Sequence, residues 1–317
     1  MTTVLSAAPQ AVATAVDLLV RGQVVALPTE TVYGLAADAT DAEAVARIFE
    51  AKNRPSFDPL IVHVRSWEQL QGVADVTEPL VHDLADKYWP GPLTFVLPKG
   101  DSIPDLVTSG SPHVAVRMPA HPFFREVLQA FGKPLAAPSA NRFGRISPTE
   151  AGHVLESLGG KIPLILDGGP CSMGIESTIV RISEGTIYVL RDGPVSREEL
   201  LRFGYPVSGA SDSAAPGQLA SHYAPRKSLS LVNSAADIPP EWHQESGFLA
   251  FKSPGKNDFG AIEVLSPTGD IVEAAARLFG CLHRLDAAPV ARLWAERVPF
   301  EGLGRAIMDR LTRASVR

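Results

Sequence analysis

Two short stretches carry side chains suited to chemistry. Residues 27–35 read Leu-Pro-Thr-Glu-Thr-Val-Tyr-Gly-Leu, and Lys52-Asn53-Arg54-Pro55 follows soon after. The first stretch offers two hydroxyls (Thr29, Thr31), a carboxylate (Glu30) and a phenol (Tyr33) where the apolar run Val24-Val25-Ala26-Leu27 ends. Gly34 lets the backbone turn tightly or pass close to a ligand. The second stretch sets two cations beside that polar turn, which suggests an anion site. A solvated helix end, where cations are common in any case, is the competing reading.

More candidates sit at the ends of predicted elements. His63 lies in the apolar run Leu60-Ile61-Val62-His63-Val64, nine positions after Arg54, and is read either as a core histidine or as a ligand contact. Arg117 falls at the end of the strand-like run that closes with Pro119. Ser139 and Asn141 occupy a polar turn, and Arg191 ends the second strand of a predicted hairpin. Ser147-Pro148-Thr149-Glu150 has the form of a capping box with proline at N1, so a helix start is expected there, with amides free for phosphate. Lys52, Arg54, Arg117, Arg191 and the Ser139/Asn141 turn make one coherent set. Arg117 and Arg191 are equally open to pairing carboxylates at strand ends.

The elements that must position these residues follow from periodicity and punctuation. Helices are expected over 8–21 (with Gly22 as C-cap), about 41–53 (led by a Thr40-Asp41-Ala42-Glu43 capping box), near 78–88, over 122–131, from Ser147 to Gly159-Gly160, and from Ser196. Strands are expected over 24–27, 60–64, 93–97, 114–119, 135–137 and 163–167. Ser177 to Ile182 and Thr186 to Arg191 alternate around Ser183-Glu184-Gly185, the clearest hairpin in the chain. A mixed sheet with helices fits this pattern better than a purely parallel one. Residues 1–206 are thus read as one α/β domain, 207–226 as a linker or lid, and 227–317 as a smaller C-terminal α/β domain. That domain has strands near 228–232, 247–251 and 261–265 and helices near 269–286 and 299–313. Tyr223 and His222 are costly ornaments for a free tether, so the linker is expected to dock over the rest of the protein and to order when a ligand binds.

Composition bounds the answer. The chain has 317 residues, 45% of them hydrophobic, enough for a buried core. No apolar run approaches the ~20 residues of a spanning helix, and no basic leader opens the chain. A soluble cytoplasmic protein without a membrane role is expected. Two cysteines, Cys171 and Cys281, offer neither a disulfide framework nor a metal knuckle. Net charge is −6; residues 1–205 hold 17 Lys+Arg against 23 Asp+Glu, and the remainder holds 12 against 12. Neither part has the basic balance of a nucleic-acid domain. A cationic surface must therefore be local. P-loop, dinucleotide and His-Glu-x-x-His signatures are absent, and the eight histidines show no metal-ligand spacing.

Taken together, the motifs resemble those of the YrdC-like family in its long, two-domain form. Residues 27–35 are similar to its opening signature, Lys52-Asn53-Arg54 to its Lys-x-Arg motif, and Ser139-Ala140-Asn141 to its Ser-x-Asn motif. Trp89-Pro90-Gly91-Pro92-Leu93-Thr94, Val116-Arg117-Met118-Pro119, Glu176-Ser177-Thr178 and Leu190-Arg191-Asp192-Gly193 also match in order, and Ser221-His222-Tyr223-Ala224-Pro225 resembles the long form's tail. The resemblance spans about residues 10–200. It implies a twisted mixed sheet around a positive cavity, a Rossmann-like C-terminal domain, and L-threonylcarbamoyladenylate synthase activity. Threonine, bicarbonate and ATP would be joined with Mg²⁺ held mainly through the ATP phosphates, and pyrophosphate released. Partner transferases would then use the product to make N6-threonylcarbamoyladenosine at tRNA position 37; direct tRNA contact stays open.

Under that resemblance Lys52 and Arg54 are the catalytic candidates, neutralising phosphates and carbamate. Thr31, His63, Arg117 and Ser177 would hold threonine. Ser139, Asn141, Ser147, Arg191 and Tyr223 would join Lys52 and Arg54 around ATP, and no residue is assigned to a metal. Two rivals are a non-enzymatic RNA-binding module and a carbamoyl-phosphate-dependent transferase domain. The acidic totals and the lack of stacking aromatics near Lys52 and Arg54 weigh against the first, the missing cysteine pattern against the second.

Overall fold

A computed structural model describes residues 1–6, 8–209, 222–255 and 258–316. Segment 210–221, most of the expected linker, lies outside the described residues. The first sheet is built from β1 (Thr3–Ser6), β2 (Val25–Leu27), β3 (Gly34–Asp38), β4 (Ile61–His63), β5 (Leu93–Pro98), β6 (His113–Arg117), β7 (Leu135–Ala136), β8 (Leu164–Asp167), β9 (Thr178–Ser183), β10 (Thr186–Arg191) and β11 (Val207–Gly209). Across the sheet they run β1-β8-β2-β3-β7-β4-β6-β5-β9-β10-β11. Parallel pairs such as β4/β6 and β5/β9 alternate with antiparallel ones such as β5/β6 and β9/β10, so the sheet is mixed as expected. β11 pairs with β10 inside the stretch read from sequence as linker.

Several local expectations are corrected. Gly34 does not close a turn; it opens β3, whose sequence Gly-Leu-Ala-Ala-Asp lacks the β-branched residues that mark a strand. Asp41 alone caps helix Ala42–Lys52, accepting from the amides of Glu43 and Ala44, while the Thr40 hydroxyl donates to Asp38. Ser147 caps nothing: the next helix is Ala151–Leu158, with Glu150 at its N-cap, and the Ser147 hydroxyl donates instead to Glu176. Ser196 does form its capping box with Glu199.

A second sheet holds β12 (Ser228–Val232), β13 (Ser246–Ala250), β14 (Ala261–Val264) and β15 (Arg292–Glu296) in the order β12-β15-β13-β14, all parallel. β15 was not expected from sequence. Helices Ile271–Ala287 and Leu303–Ser315 pack with this sheet. One apolar cluster joins the two parts, uniting Val32, Ile146, Ile175 and Tyr223 with Leu278, Phe279 and Leu282. Burying that surface is the main force holding them together. Among the described residues no helix is long and apolar enough to cross a membrane.

Candidate active site

The sheet brings several of the chemically able residues to one place. β4 and β6 are parallel with His63 opposite Arg117, and β5 sets Thr94 opposite Arg117 on the other side. β5 also runs parallel to β9, so Thr94 and Ser177 meet, their hydroxyls 2.7 Å apart. Arg191, at the end of β10, donates through Nε to the Ser177 carbonyl and through Nη2 to its hydroxyl, each at 3.0 Å.

Residues 29–32 form a tight polar turn. The Thr29 hydroxyl accepts from the amides of Thr31 and Val32 and lies 2.8 Å from the Thr31 hydroxyl. Arg117 crosses from β6 to bind this turn, donating to Thr31 Oγ1 at 2.9 Å, to Glu30 Oε1 at 2.5 Å and to the Gly91 carbonyl at 3.0 Å. Arg117 therefore pairs a carboxylate, as one of its two readings had it, and touches the polar turn at once.

The other side is built by loops. Asn53 takes a left-handed conformation (φ 51°) at the end of helix Ala42–Lys52 and turns the chain so that Arg54 points inward. Arg54 donates to the carbonyls of Asp58 and Pro59 and forms an ion pair with Asp58 at 2.9 Å. Lys52 is buried and gives its ammonium to the carbonyls of Ser139 and Asn141. Asn141 in turn donates to the carbonyls of Arg142 and Arg145. Residues after the 210–221 segment dock on this loop: Ala224 donates to the Gly144 carbonyl at 2.8 Å and Arg145 to the Pro225 carbonyl at 3.2 Å. That docking buries Tyr223, held at φ 61°, with His222 packed edge-on against its ring.

Thr31, His63, Arg117, Ser177, Arg54, Ser139, Arg191 and Tyr223 all line one cavity. It measures about 560 Å³, counting the space open to solvent. Lys52, Asn141 and Ser147 stand outside that lining, and so do all residues of helix Ala151–Leu158. Lys52 and Asn141 hold the Ser139 loop from behind. Thr29, Glu176 and His222 line the cavity without having been assigned to it; Glu176 is signalled in the sequence only by its place before Ser177-Thr178.

Electrostatics follow from burial. Burial and the neighbouring Arg54 push the Lys52 ammonium well below its usual range. Burial also lowers Arg54 and Arg191, and Asp58 and the Tyr223 side chain respectively oppose it; a guanidinium stays charged regardless. His63 is pushed down to about 3, by burial first and Arg117 second, so it is neutral, with a buried Nδ1 that has no partner among the described residues. Burial, with Glu176 next, raises the Tyr223 phenol to about 12. The site thus gathers fixed cations, hydroxyls and a neutral imidazole around one cavity. Such a set has the chemistry to suit anions and small polar groups. Among the described residues no three His, Cys, Asp or Glu come together to hold a metal.

The same chain matches known families along most of its length. The family described as Telomere recombination covers residues 17–193, and Threonylcarbamoyl-AMP synthase, C-terminal domain, covers residues 195–316. The threonylcarbamoyl-AMP synthase of Pyrococcus abyssi is 43% identical over 310 residues, covering 93% of this chain and 91% of its own. The chain belongs to the threonylcarbamoyl-AMP synthase family. The Bacillus subtilis threonylcarbamoyl-AMP synthase is 37% identical over 320 residues, covering 96% of this chain and 92% of that one. Among solved structures, P. abyssi Sua5 complexed with L-threonine superposes with a TM-score of 0.90 at 36% identity, over 99% of this chain and 98% of that one. In this member of the family the C-terminal part also reaches the cavity wall: Arg310 donates to Glu176, and Phe279 stacks on Tyr223 with ring centres 5.5 Å apart.

Proposed function

We propose that this chain joins L-threonine, bicarbonate and ATP into L-threonylcarbamoyl-AMP and releases pyrophosphate. The observation that carries this reading is the meeting of Arg54, Arg117 and Arg191 with the Thr31 and Ser177 hydroxyls around one cavity. The threonine amine adds to bicarbonate with loss of water and gives a carbamate. A carbamate oxygen then attacks the α-phosphorus, forming the O–P bond as the bond to the pyrophosphate oxygen breaks. Nucleophile and electrophile are both anions, so the barrier is one of charge and orientation. Fixed cations and excluded water meet that need.

Roles follow the geometry. Thr31, Arg117 and Ser177 suit the amino acid's carboxylate and hydroxyl, with neutral His63 offering Nδ1 as an acceptor. Arg54 and Arg191 suit the phosphates and the carbamate, with Ser139 at the nucleotide. Lys52 and Asn141 act by fixing the loop that carries Ser139, and Tyr223 covers the nucleotide. Mg²⁺ fits this site as a companion of ATP. Glu30, Asp58 and Glu176 are each engaged by an arginine, so phosphate oxygens and water would hold the ion. Use of ATP, and of the product by tRNA threonylcarbamoyl transferases, points to a cytoplasmic location.

Pyrophosphate release is the test. It should require threonine and bicarbonate together. Release without either one, or none with both, would overturn the reading, and RNA binding without turnover would favour a non-enzymatic module.

A further inference from the structure

The reaction above draws on the first sheet and its loops, yet the most buried charge beside the cavity comes from the second part. Arg310 lies on helix Leu303–Ser315 and is 0% exposed. Its Nε donates to Glu176 Oε2 at 3.1 Å, and its Nη1 donates to the Asp192 carbonyl at 2.6 Å and to Asp309 Oδ2 at 3.2 Å. The guanidinium carbon is 5.6 Å from the centre of the Tyr223 ring, within cation–π range. Nη2 is buried with no partner among the described residues.

Glu176 and Tyr223 both line the cavity. Much of the seam near Arg310 is apolar, with Asp309, Ser147 and Glu176 among it, and apolar packing alone would join two domains there without the cost of burying a charge. The arginine therefore answers a local need. Glu176 is a buried carboxylate facing substrates that are themselves anions; unpaired, it would repel phosphate, bicarbonate and carbamate alike. Ser147 supplies one hydrogen bond to it at 2.5 Å but no charge.

We propose that Arg310 is a positioning residue of the synthase site, through which the C-terminal part cancels the charge of Glu176 and seats Tyr223 for nucleotide. This rests on the adenylation reading. It also gives the second part a task at the chemistry that its own parallel sheet does not reveal.

A double-mutant cycle in the full chain tests it. Arg310→Met keeps length and removes charge. It should lower kcat/KM for ATP about a hundredfold, the scale of losing one fixed electrostatic contact, while threonine binding without ATP changes less than about threefold. Glu176→Gln alone leaves Arg310 with Asp309 as its remaining carboxylate and should also impair turnover. The double variant should recover at least about tenfold over Arg310→Met. A mere interdomain staple would show no such recovery, because removing the Glu176 charge adds no contact between domains.

An unchanged kcat/KM in folded Arg310→Met, or a double variant no better than it, overturns the proposal. Should Arg310→Met fail to fold, Arg310→Lys decides: it keeps the charge and should hold nucleotide affinity within about tenfold. A folded lysine variant that has lost nucleotide affinity refutes the charge argument. Calorimetry with α,β-methylene-ATP, which blocks the bond that breaks, reads nucleotide affinity directly. A wild-type protein that releases no pyrophosphate would sink the adenylation reading, while these affinities would still judge Arg310.

Discussion

The two walls of the cavity are held in different ways. At the sheet ends, side chains bind side chains: Thr29 to Thr31, Arg117 to Thr31 and Glu30, Thr94 and Arg191 to Ser177. On the loop side, Arg54 is anchored on the carbonyls of Asp58 and Pro59 and on the Asp58 carboxylate, and Lys52, behind the lining, ties down the carbonyls of Ser139 and Asn141. Strand register fixes the first wall, so it can discriminate the shape of a small ligand. The path of separate chain segments fixes the second, which adds Arg54 to the charge that Arg117 and Arg191 bring from the sheet ends.

Removing the anchored cations should break the comparison most visibly. Arg54→Ala should lower pyrophosphate release roughly 10²–10³-fold, about 2.7–4 kcal/mol of transition-state stabilisation, with threonine affinity nearly unchanged. Lys52→Ala should act indirectly: it should loosen the Ser139–Asn141 loop, seen as faster amide exchange there, and lower turnover through that loop. Near-normal turnover in folded Arg54→Ala would show that the loop wall does not carry the charge.

Substrate analogues sharpen the sheet-end wall. Valine lacks the hydroxyl and would leave buried partners unpaired, at about 1–3 kcal/mol, a factor of roughly 5–150 in kcat/KM. Serine keeps the hydroxyl, loses a methyl, and should fall between valine and threonine. Equal turnover of valine and threonine would mean that the hydroxyl is not read.

The remaining effect is one of pH and acts on stability, not on turnover. His63 and His283 are both pushed to about 3, chiefly by burial, then by Arg117 and by His153 respectively. Each is neutral in the folded protein and takes a proton near pH 6.5 when unfolded. The unfolded chain binds more protons between those values, so stability is intact above about 6.5 and declines as pH falls toward 3. The slope is about 1.4 kcal/mol per pH unit for each histidine. Urea midpoints from pH 7.5 to 5 should show the decline, and His283→Gln should flatten it by about one proton. An unaltered slope would place the effect elsewhere.

Much of this was legible in the sequence, for reasons that differ by residue. The β9–β10 hairpin and helix Pro122–Phe131, stopped by Gly132, announce themselves because alternation and breakers are local properties. Strand β3 does not, since Gly-Leu-Ala-Ala-Asp has no strand preference and depends on neighbours far along the chain. Ser147 had the spacing of a capping box, but the hydroxyl's partner proved to be Glu176, 29 positions away. Arg310 carried no signal, because an arginine on an amphipathic helix ordinarily faces water. Local pattern tells where elements begin; which partner a polar side chain chooses is decided by the tertiary path.

Tyr223 deserves a last consideration through its backbone. A bulky residue at φ 61° sits in a conformation that costs L-amino acids about 1–2 kcal/mol. Its neighbours hold it there: Ala224 is tied to Gly144, and the ring lies between Phe279 and Arg310. The left-handed backbone at Tyr223 is thus a standing cost that these contacts offset, and we expect it to favour any conformation in which they part.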